Sequence, residues 1–187
     1  MRIIAGTAKG RRLKTLAGQH TRPTADRVKE AMFSVLTPYL ADAKVLDACA
    51  GSGALGLEAL SRGAKSALFI EADRRAGAVL AENLAALALP GGQVLRGDAL
   101  KLLPGLAGEG GFDLIFLDPP YDTGLLPQLI ALVVQGRLLA AEGVLIAETR
   151  AGSGEAAAQS GLIQVKESRY GGTAIHYLRW SDIQGGN

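Results

Sequence analysis

From residue 44 onward the chain alternates short apolar runs with amphipathic stretches. Lys44–Cys49, Ser66–Glu71, Gln93–Arg96, Phe112–Leu117 and Gly143–Glu148 are brief and mainly apolar, the pattern of strands buried in a sheet. Between them lie helical patterns. One covers Ala54–Ser61. A second follows Asp73, a natural cap, with Ala76, Val79, Leu80, Leu84 and Leu87 on one face until Pro90-Gly91-Gly92 ends it. A short third covers Ala99–Leu103, and an apolar fourth covers Leu125–Gln135. Repeated βα units predict an α/β, Rossmann-like, mostly parallel sheet with right-handed crossovers. Leu162–Tyr170 and Ala174–Trp180 alternate about Gly171-Gly172, which predicts a closing antiparallel hairpin. With it the sheet reaches seven strands. The stretch 151–160 reads as loop or weak helix.

Ahead of this core, residues 2–5 and 11–16 read as two short strands about a Gly-containing turn. The division expected is a basic N-terminal β-hairpin or arm over 1–20 and one larger domain over 21–187. Thr24 is expected to cap a helix whose Val28, Ala31, Met32, Val35 and Leu36 share a face, with Pro38 as its stop.

Composition narrows the class. The chain has 187 residues, of which 48% are hydrophobic, enough for a core and too many for disorder. No apolar run approaches the ~20 residues of a membrane span, and the N-terminus lacks a secretory apolar core. The single Cys49 fits a reducing cytoplasm and a small buried side chain after the first strand. His20 and His176 are too few and too far apart to suggest a metal site. Net charge is only +2 and unevenly spread. Residues 1–30 hold eight basic side chains against two acidic ones, leaving −4 for the rest. Arg2, Lys9, Arg11, Arg12, Arg22 and Arg27 are the cations expected to meet phosphates of a nucleic acid.

Two stretches carry candidate chemistry. In VLDACAGSGALGLEAL, Asp47 ends the first strand and Gly51, Gly53 and Gly56 follow with the spacing G-x-G-x-x-G. Glu71 ends the second strand about twenty residues on, where an acid can hold ribose hydroxyls. Asp98 follows the third strand. A nicotinamide dinucleotide would fit the glycines and the later acid. Asp47, however, would sit poorly beside two phosphates and well beside an amino group, which favours S-adenosylmethionine. The second stretch is FDLIFLDPPY. Pro119 and Pro120 end the strand in a stiff bend and leave Asp118 and Tyr121 at its carboxyl end. The Asp118 carboxylate and the Pro119 carbonyl can accept from an exocyclic amine, and Tyr121 can stack on the base that carries it.

With DACAGSG, FIEAD, RGDAL and LDPPY in order, the chain resembles the class I S-adenosylmethionine-dependent methyltransferases that act on exocyclic amino groups. RIIAGTAKGRRL, TRPTADRVKEAMFSVL and RYGGTAIHYLRW make it similar to the RsmD family, which methylates N2 of a guanine in 16S ribosomal RNA. The resemblance implies that Asp47, Gly51 and Gly53 line the methionine end of the donor. It implies Glu71 and Ala72 at the ribose and adenine, Asp98 and Ala99 beside the adenine, and Thr24 folded over the donor. Asp118, Pro119, Pro120 and Tyr121 would hold the flipped guanine, with Asp118 also near the donor. The implied partner is 16S rRNA in the small ribosomal subunit or its late assembly intermediate, acted on by a cytoplasmic monomer that needs no metal. Cys49 and Ala25 depart from the family's usual residues. The rivals are a DNA adenine-N6 or other amino-group methyltransferase, a non-catalytic RNA-binding or ribosome-assembly module, and the nicotinamide oxidoreductase.

Overall fold

Local backbone chemistry decides where each element starts and stops. The structure, a computed structural model, describes residues 1–16, 23–108, 111–153 and 161–181, with 23–25 as backbone only. These fall into two compact units, Met1–Ala99 and Leu100–Asn187.

In the first unit α1 spans Pro23–Leu36. It opens on a proline, whose missing N–H would be unpaired in a first turn anyway. Thr24 therefore lies inside the first turn and is not the cap. Met32, Phe33 and Leu36 are buried, and a 3₁₀ turn, Thr37–Tyr39, closes the helix around Pro38. Next come β1 (Lys44–Asp47), α2 (Ala54–Ser61), β2 (Ser66–Glu71), α3 (Arg74–Leu87) and β3 (Gly92–Arg96). Strand β1 stops two residues earlier than expected, because the chain turns at once into the glycine loop. Cys49 there is half-buried rather than a core side chain. The three strands lie parallel in the order β3-β2-β1, with Asp47 opposite Phe69 and Glu71 opposite Arg96. Parallel register brings Asp47, Glu71 and the following Asp98 to one edge. Val45, Leu46, Leu57, Phe69, Ile70 and Leu80 fill the core. Helix α4 opens at Ala99 and a 3₁₀ turn continues it through Leu103–Leu106.

The expected N-terminal hairpin forms around one antiparallel bridge, Arg2 to Arg12, with backbone bonds from Ile3 to Arg11, Gly10 to Ile3 and Leu13 to Met1, and no longer ladder. The physical reason is competition for the backbone. The Ile4 and Ala5 N–H groups donate to the Glu58 carboxylate at 2.8 and 3.0 Å. The Thr7 N–H goes to the Ser61 carbonyl at 2.8 Å and the Ala8 N–H to its hydroxyl at 3.0 Å. Ile3, Ala8 and Leu13 are buried. Gly6 is required here, since a Cβ would fall 1.7 Å from the Ser61 carbonyl oxygen.

The second unit holds β4 (Phe112–Leu117), α5 (Leu125–Gln135), β5 (Leu139–Arg150), β6 (Leu162–Tyr170) and β7 (Thr173–Trp180). Its strand order is β4-β5-β7-β6, parallel between β4 and β5 and antiparallel thereafter. Strand β5 is longer than the predicted Gly143–Glu148. Leu139 pairs early with Phe112, and Thr149 and Arg150 are drawn in by Ala174 and Thr173 of β7. Seven strands among the described residues, parallel first and antiparallel at the carboxyl end, give the expected α/β class. Most of 151–160 lies outside the described residues. No helix among the described residues is long and apolar enough to cross a membrane.

Candidate active site

The turn after β1 is held by side chains from both neighbouring elements. Gly51 and Gly53 take left-handed φ values of 55° and 83°. A Cβ on Gly53 would also lie 2.3 Å from a Leu80 methyl, so both shape and space require glycine. Asp47 lies beneath this turn, 1% exposed, and its Oδ2 accepts from the Gly56 N–H at 3.0 Å. Burial pushes its pKa up to about 7, opposed by that hydrogen bond and aided by the charge of Glu71. Glu71 does more than end β2. Its Oε2 accepts from the Gly51 N–H and its Oε1 from the Asp73 N–H, both at 2.7 Å. Each oxygen keeps a lone pair for hydroxyl donors. Ala72 and Asp98 are exposed and Ala99 is buried. The side chain of Thr24 lies outside the described residues.

The corner after β4 is organised as a second group. Asp118 is exposed, Pro119 buried, Pro120 exposed and Tyr121 half-buried. The Tyr121 hydroxyl donates to Glu148 Oε1 at 2.6 Å and lies 3.3 Å from the Thr173 hydroxyl. Burial raises the Tyr121 pKa, helped by the Glu148 carboxylate, and burial raises that of Glu148 too. The Arg150 guanidinium stands 5.6 Å from the Tyr121 ring centroid and pairs with Asp122 at 2.8 Å. The Thr123 hydroxyl donates to the Pro120 carbonyl at 2.8 Å. The ring is thus fixed from β5 and from the start of β7 as well as by the prolines.

Of the expected phosphate contacts, Arg2, Lys9, Arg11, Arg12 and Arg27 are exposed, and Arg22 lies outside the described residues. Two are partly engaged within the protein. Arg2 pairs with Asp26 at 3.1 Å, and Arg11 donates to the Ala86 carbonyl at 2.6 Å. Among the described residues no group of three or more His, Cys, Asp or Glu is placed to hold a metal ion.

Sequence reasoning missed the supporting residues Glu58, Asn83, Glu148, Arg150 and Thr173. Glu58 is fully buried and pairs with Lys29 at 3.0 Å and Arg62 at 2.7 Å. Asn83 is 2% exposed on the apolar face of α3. A polar side chain in register with Ala76, Leu80 and Leu87 was the one available signal for it.

Chemically, the first group offers carboxylates and a tight glycine turn suited to a nucleoside bearing an amino group. The second offers an exposed carboxylate and a fixed ring suited to an arylamine. Residues 1–179 match the family described as Conserved hypothetical protein 95. Ribosomal RNA small subunit methyltransferase D of Escherichia coli K12 is 41% identical over 155 residues, 82% of this chain and 77% of the relative. YlbH of Bacillus subtilis is 40% identical over 183 residues, 96% of this chain and 100% of its own. The solved structure of yhhF from Escherichia coli matches with a TM-score of 0.86 at 37% identity, over 97% of this chain and 98% of that one. HI0767 from Haemophilus influenzae matches at 0.82 and 32%, over 97% and 98%. A family match along nearly the whole length, with relatives at this identity, means that the chain belongs to the RsmD methyltransferase family.

Proposed function

We propose that this protein methylates the exocyclic N2 amine of a guanine in 16S ribosomal RNA. The broader statement, a ribosomal RNA methyltransferase that uses S-adenosylmethionine, is carried by its relatives. The observation that supports the finer reading is the corner at the end of β4. There Asp118 is exposed on a proline-stiffened bend, and Tyr121 is pinned by Glu148.

When bound, S-adenosylmethionine supplies an electrophilic methyl group and departs as a neutral sulfide. Asp47, Gly51 and Gly53 receive its methionine end, Glu71 and Ala72 its ribose and adenine side, and Asp98 and Ala99 flank the adenine. Thr24 closes over it. On the acceptor side the guanine leaves its stack, at a cost of a few kcal/mol. Asp118 and the Pro119 carbonyl accept from its N2 amine, which localises the nitrogen lone pair for attack. Tyr121 stacks on the ring, worth ~1–3 kcal/mol. The excess proton passes to Asp118 or water after transfer. Positioning and a preorganised field supply most of the acceleration. Arg2, Lys9, Arg11, Arg12, Arg22 and Arg27 hold phosphates without reading sequence. The substrate is the small subunit or its late assembly intermediate, and the protein acts as a cytoplasmic monomer without a metal.

Incubation with labelled S-adenosylmethionine and unmethylated small subunits, followed by nucleoside analysis, tests this reading. Label in N2-methylguanosine is expected. Label in N6-methyladenine of DNA or in protein would name another amino-group substrate. RNA binding with no label would make the chain an assembly module.

A further inference from the structure

The Ser52–Gly53 peptide is held at both ends. Its N–H donates to the Ala50 carbonyl at 2.7 Å, and its carbonyl accepts from Asn83 Nδ2 at 2.9 Å. Asn83 reaches the other way as well. Its Oδ1 accepts from the Lys14 N–H at 2.8 Å, and its Nδ2 donates to the Lys14 carbonyl at 3.0 Å. Both amide protons and the amide oxygen are therefore used. Two carbonyls face the nitrogen and one N–H faces the oxygen, so only this orientation of the amide satisfies all three. An aspartate of the same shape would set a carboxylate against two carbonyl oxygens.

We infer that Asn83 is a positioning residue that seats the donor-binding turn and the basic arm on one another. This rests on the proposed reading, in which residues 51–53 receive the donor and the arm receives RNA. On the turn side, Asn83 fixes the Ser52 carbonyl, which lies between two glycines of positive φ and belongs to the peptide that enters Gly53. On the arm side it grips the backbone of Lys14, two and three residues beyond Arg12 and Arg11. Lys14 is further tethered to α3 by its ion pair with Glu82 at 2.7 Å. A buried amide on an apolar helix face carries a desolvation cost, and these three bonds offset it. Loss of the amide frees the turn and the arm together. That joint loss is the signature of this role, because an ordinary core residue has no path to both ligands.

The test uses Asn83→Asp and Asn83→Ala in the full-length protein, with Val133→Ala in the other unit as a stability control and Arg12→Glu as an arm control. Calorimetry with S-adenosylhomocysteine reads the donor site. Steady-state methylation of small subunits reads KM for RNA and kcat. Both Asn83 variants are expected to weaken S-adenosylhomocysteine about ten-fold, the worth of one or two hydrogen bonds. They should also raise the RNA KM several-fold at little changed kcat. Val133→Ala should lower the melting temperature and leave both constants alone, and Arg12→Glu should raise the RNA KM only. Unchanged S-adenosylhomocysteine affinity in a folded Asn83 variant overturns the inference. So does a donor defect without an RNA defect, or an equal donor defect in Val133→Ala. If neither Asn83 variant folds, Lys14→Pro removes the N–H bond to Asn83 together with the Glu82 ion pair, Lys14→Ala removes the ion pair alone, and the difference between them in the same two constants decides. A wild-type protein that binds S-adenosylhomocysteine but labels no RNA would instead defeat the proposed function and leave the donor-site result standing.

Discussion

In the proposed reading, where Asp47 receives the donor's amino group, donor binding is a proton-releasing event. The Asp47 carboxyl is almost fully buried, and its pKa of about 7 compares with 3.8 for an ordinary aspartate. At pH 7 it is therefore about half protonated in the free protein. A bound ligand whose amino group is cationic favours the ionised carboxylate. An opposite charge nearby lowers an acid's pKa by about 1–3 units. With a fall of about 2 units, binding releases about 0.5 proton at pH 7, about 0.8 at pH 6 and about 0.1 at pH 8. Affinity for S-adenosylhomocysteine accordingly rises from pH 5 to pH 7 and levels off above. Calorimetry at pH 6 in two buffers of different ionisation enthalpy measures the released proton directly. Asp47→Asn keeps an acceptor for the Gly56 N–H and cannot ionise, so both the release and the pH dependence should vanish. A wild-type protein releasing less than about 0.2 proton at pH 6, or a variant releasing as much as wild type, would refute the reasoning.

The same group fixes the sign of a stability effect. Its folded pKa is raised, so between pH 3.8 and about 7 the folded state keeps a proton that the unfolded chain has lost. Stability therefore falls as pH rises through this window, by up to ~4 kcal/mol for a shift of about three units. Urea unfolding of Asp47→Asn should show a flatter pH dependence there than wild type.

Three other changes separate chemistry from support. Glu58→Ala leaves the buried Lys29 ammonium without its carboxylate, with the Arg2 carbonyl as its remaining partner, and frees the Ile4 and Ala5 N–H groups, for a loss of about 3–5 kcal/mol. The melting temperature should fall by roughly 10 °C, and a loss below about 1 kcal/mol would show that the carboxylate does not anchor the arm. Asp118→Ala should lower kcat at least about a hundred-fold, with S-adenosylhomocysteine affinity largely kept in calorimetry, since Asp118 is proposed to hold the acceptor amine. Retained turnover would remove it from the mechanism. Tyr121→Phe keeps the ring but leaves Glu148 without its 2.6 Å donor, at a cost of about 1–3 kcal/mol in stability. It should raise the RNA KM through a loosened ring, whereas an unchanged KM would make the hydroxyl's anchoring irrelevant to substrate.

Candidate site groups and the groups that hold them differ in how far they can be read from the chain. The glycine turn, Glu71 and the Asp118–Tyr121 bend are legible because each is specified locally: positive φ wants glycine, a buried strand wants apolar residues, and two prolines stop a ladder. The α/β class follows from the same local patterns repeated. What escapes is decided by backbone groups distant in sequence. Glu58 is one acid in an apolar helix, and nothing local says that the N–H groups of residues 53 and 54 positions earlier will meet it. The bond from Ala5 also helps explain why the N-terminal strands end at a single bridge, since the Ala5 N–H is the next ladder donor after Ile3 and Glu58 takes it. Asn83 and Glu148 show the same dependence, one on Lys14 and Ser52, the other on Tyr121, whose hydroxyl also meets Thr173. Each is a polar group set among buried neighbours, where desolvation is tolerable only with a full set of partners. A polar residue in register with an apolar face therefore predicts that some backbone or side-chain partner must arrive, without saying from where. The two such residues tied to the candidate sites, Asn83 and Glu148, each hold a segment that would contact a ligand. Their energetic cost falls on the free protein and its return comes in orientation, which is why substitutions there should disturb binding constants before they disturb the chemical step.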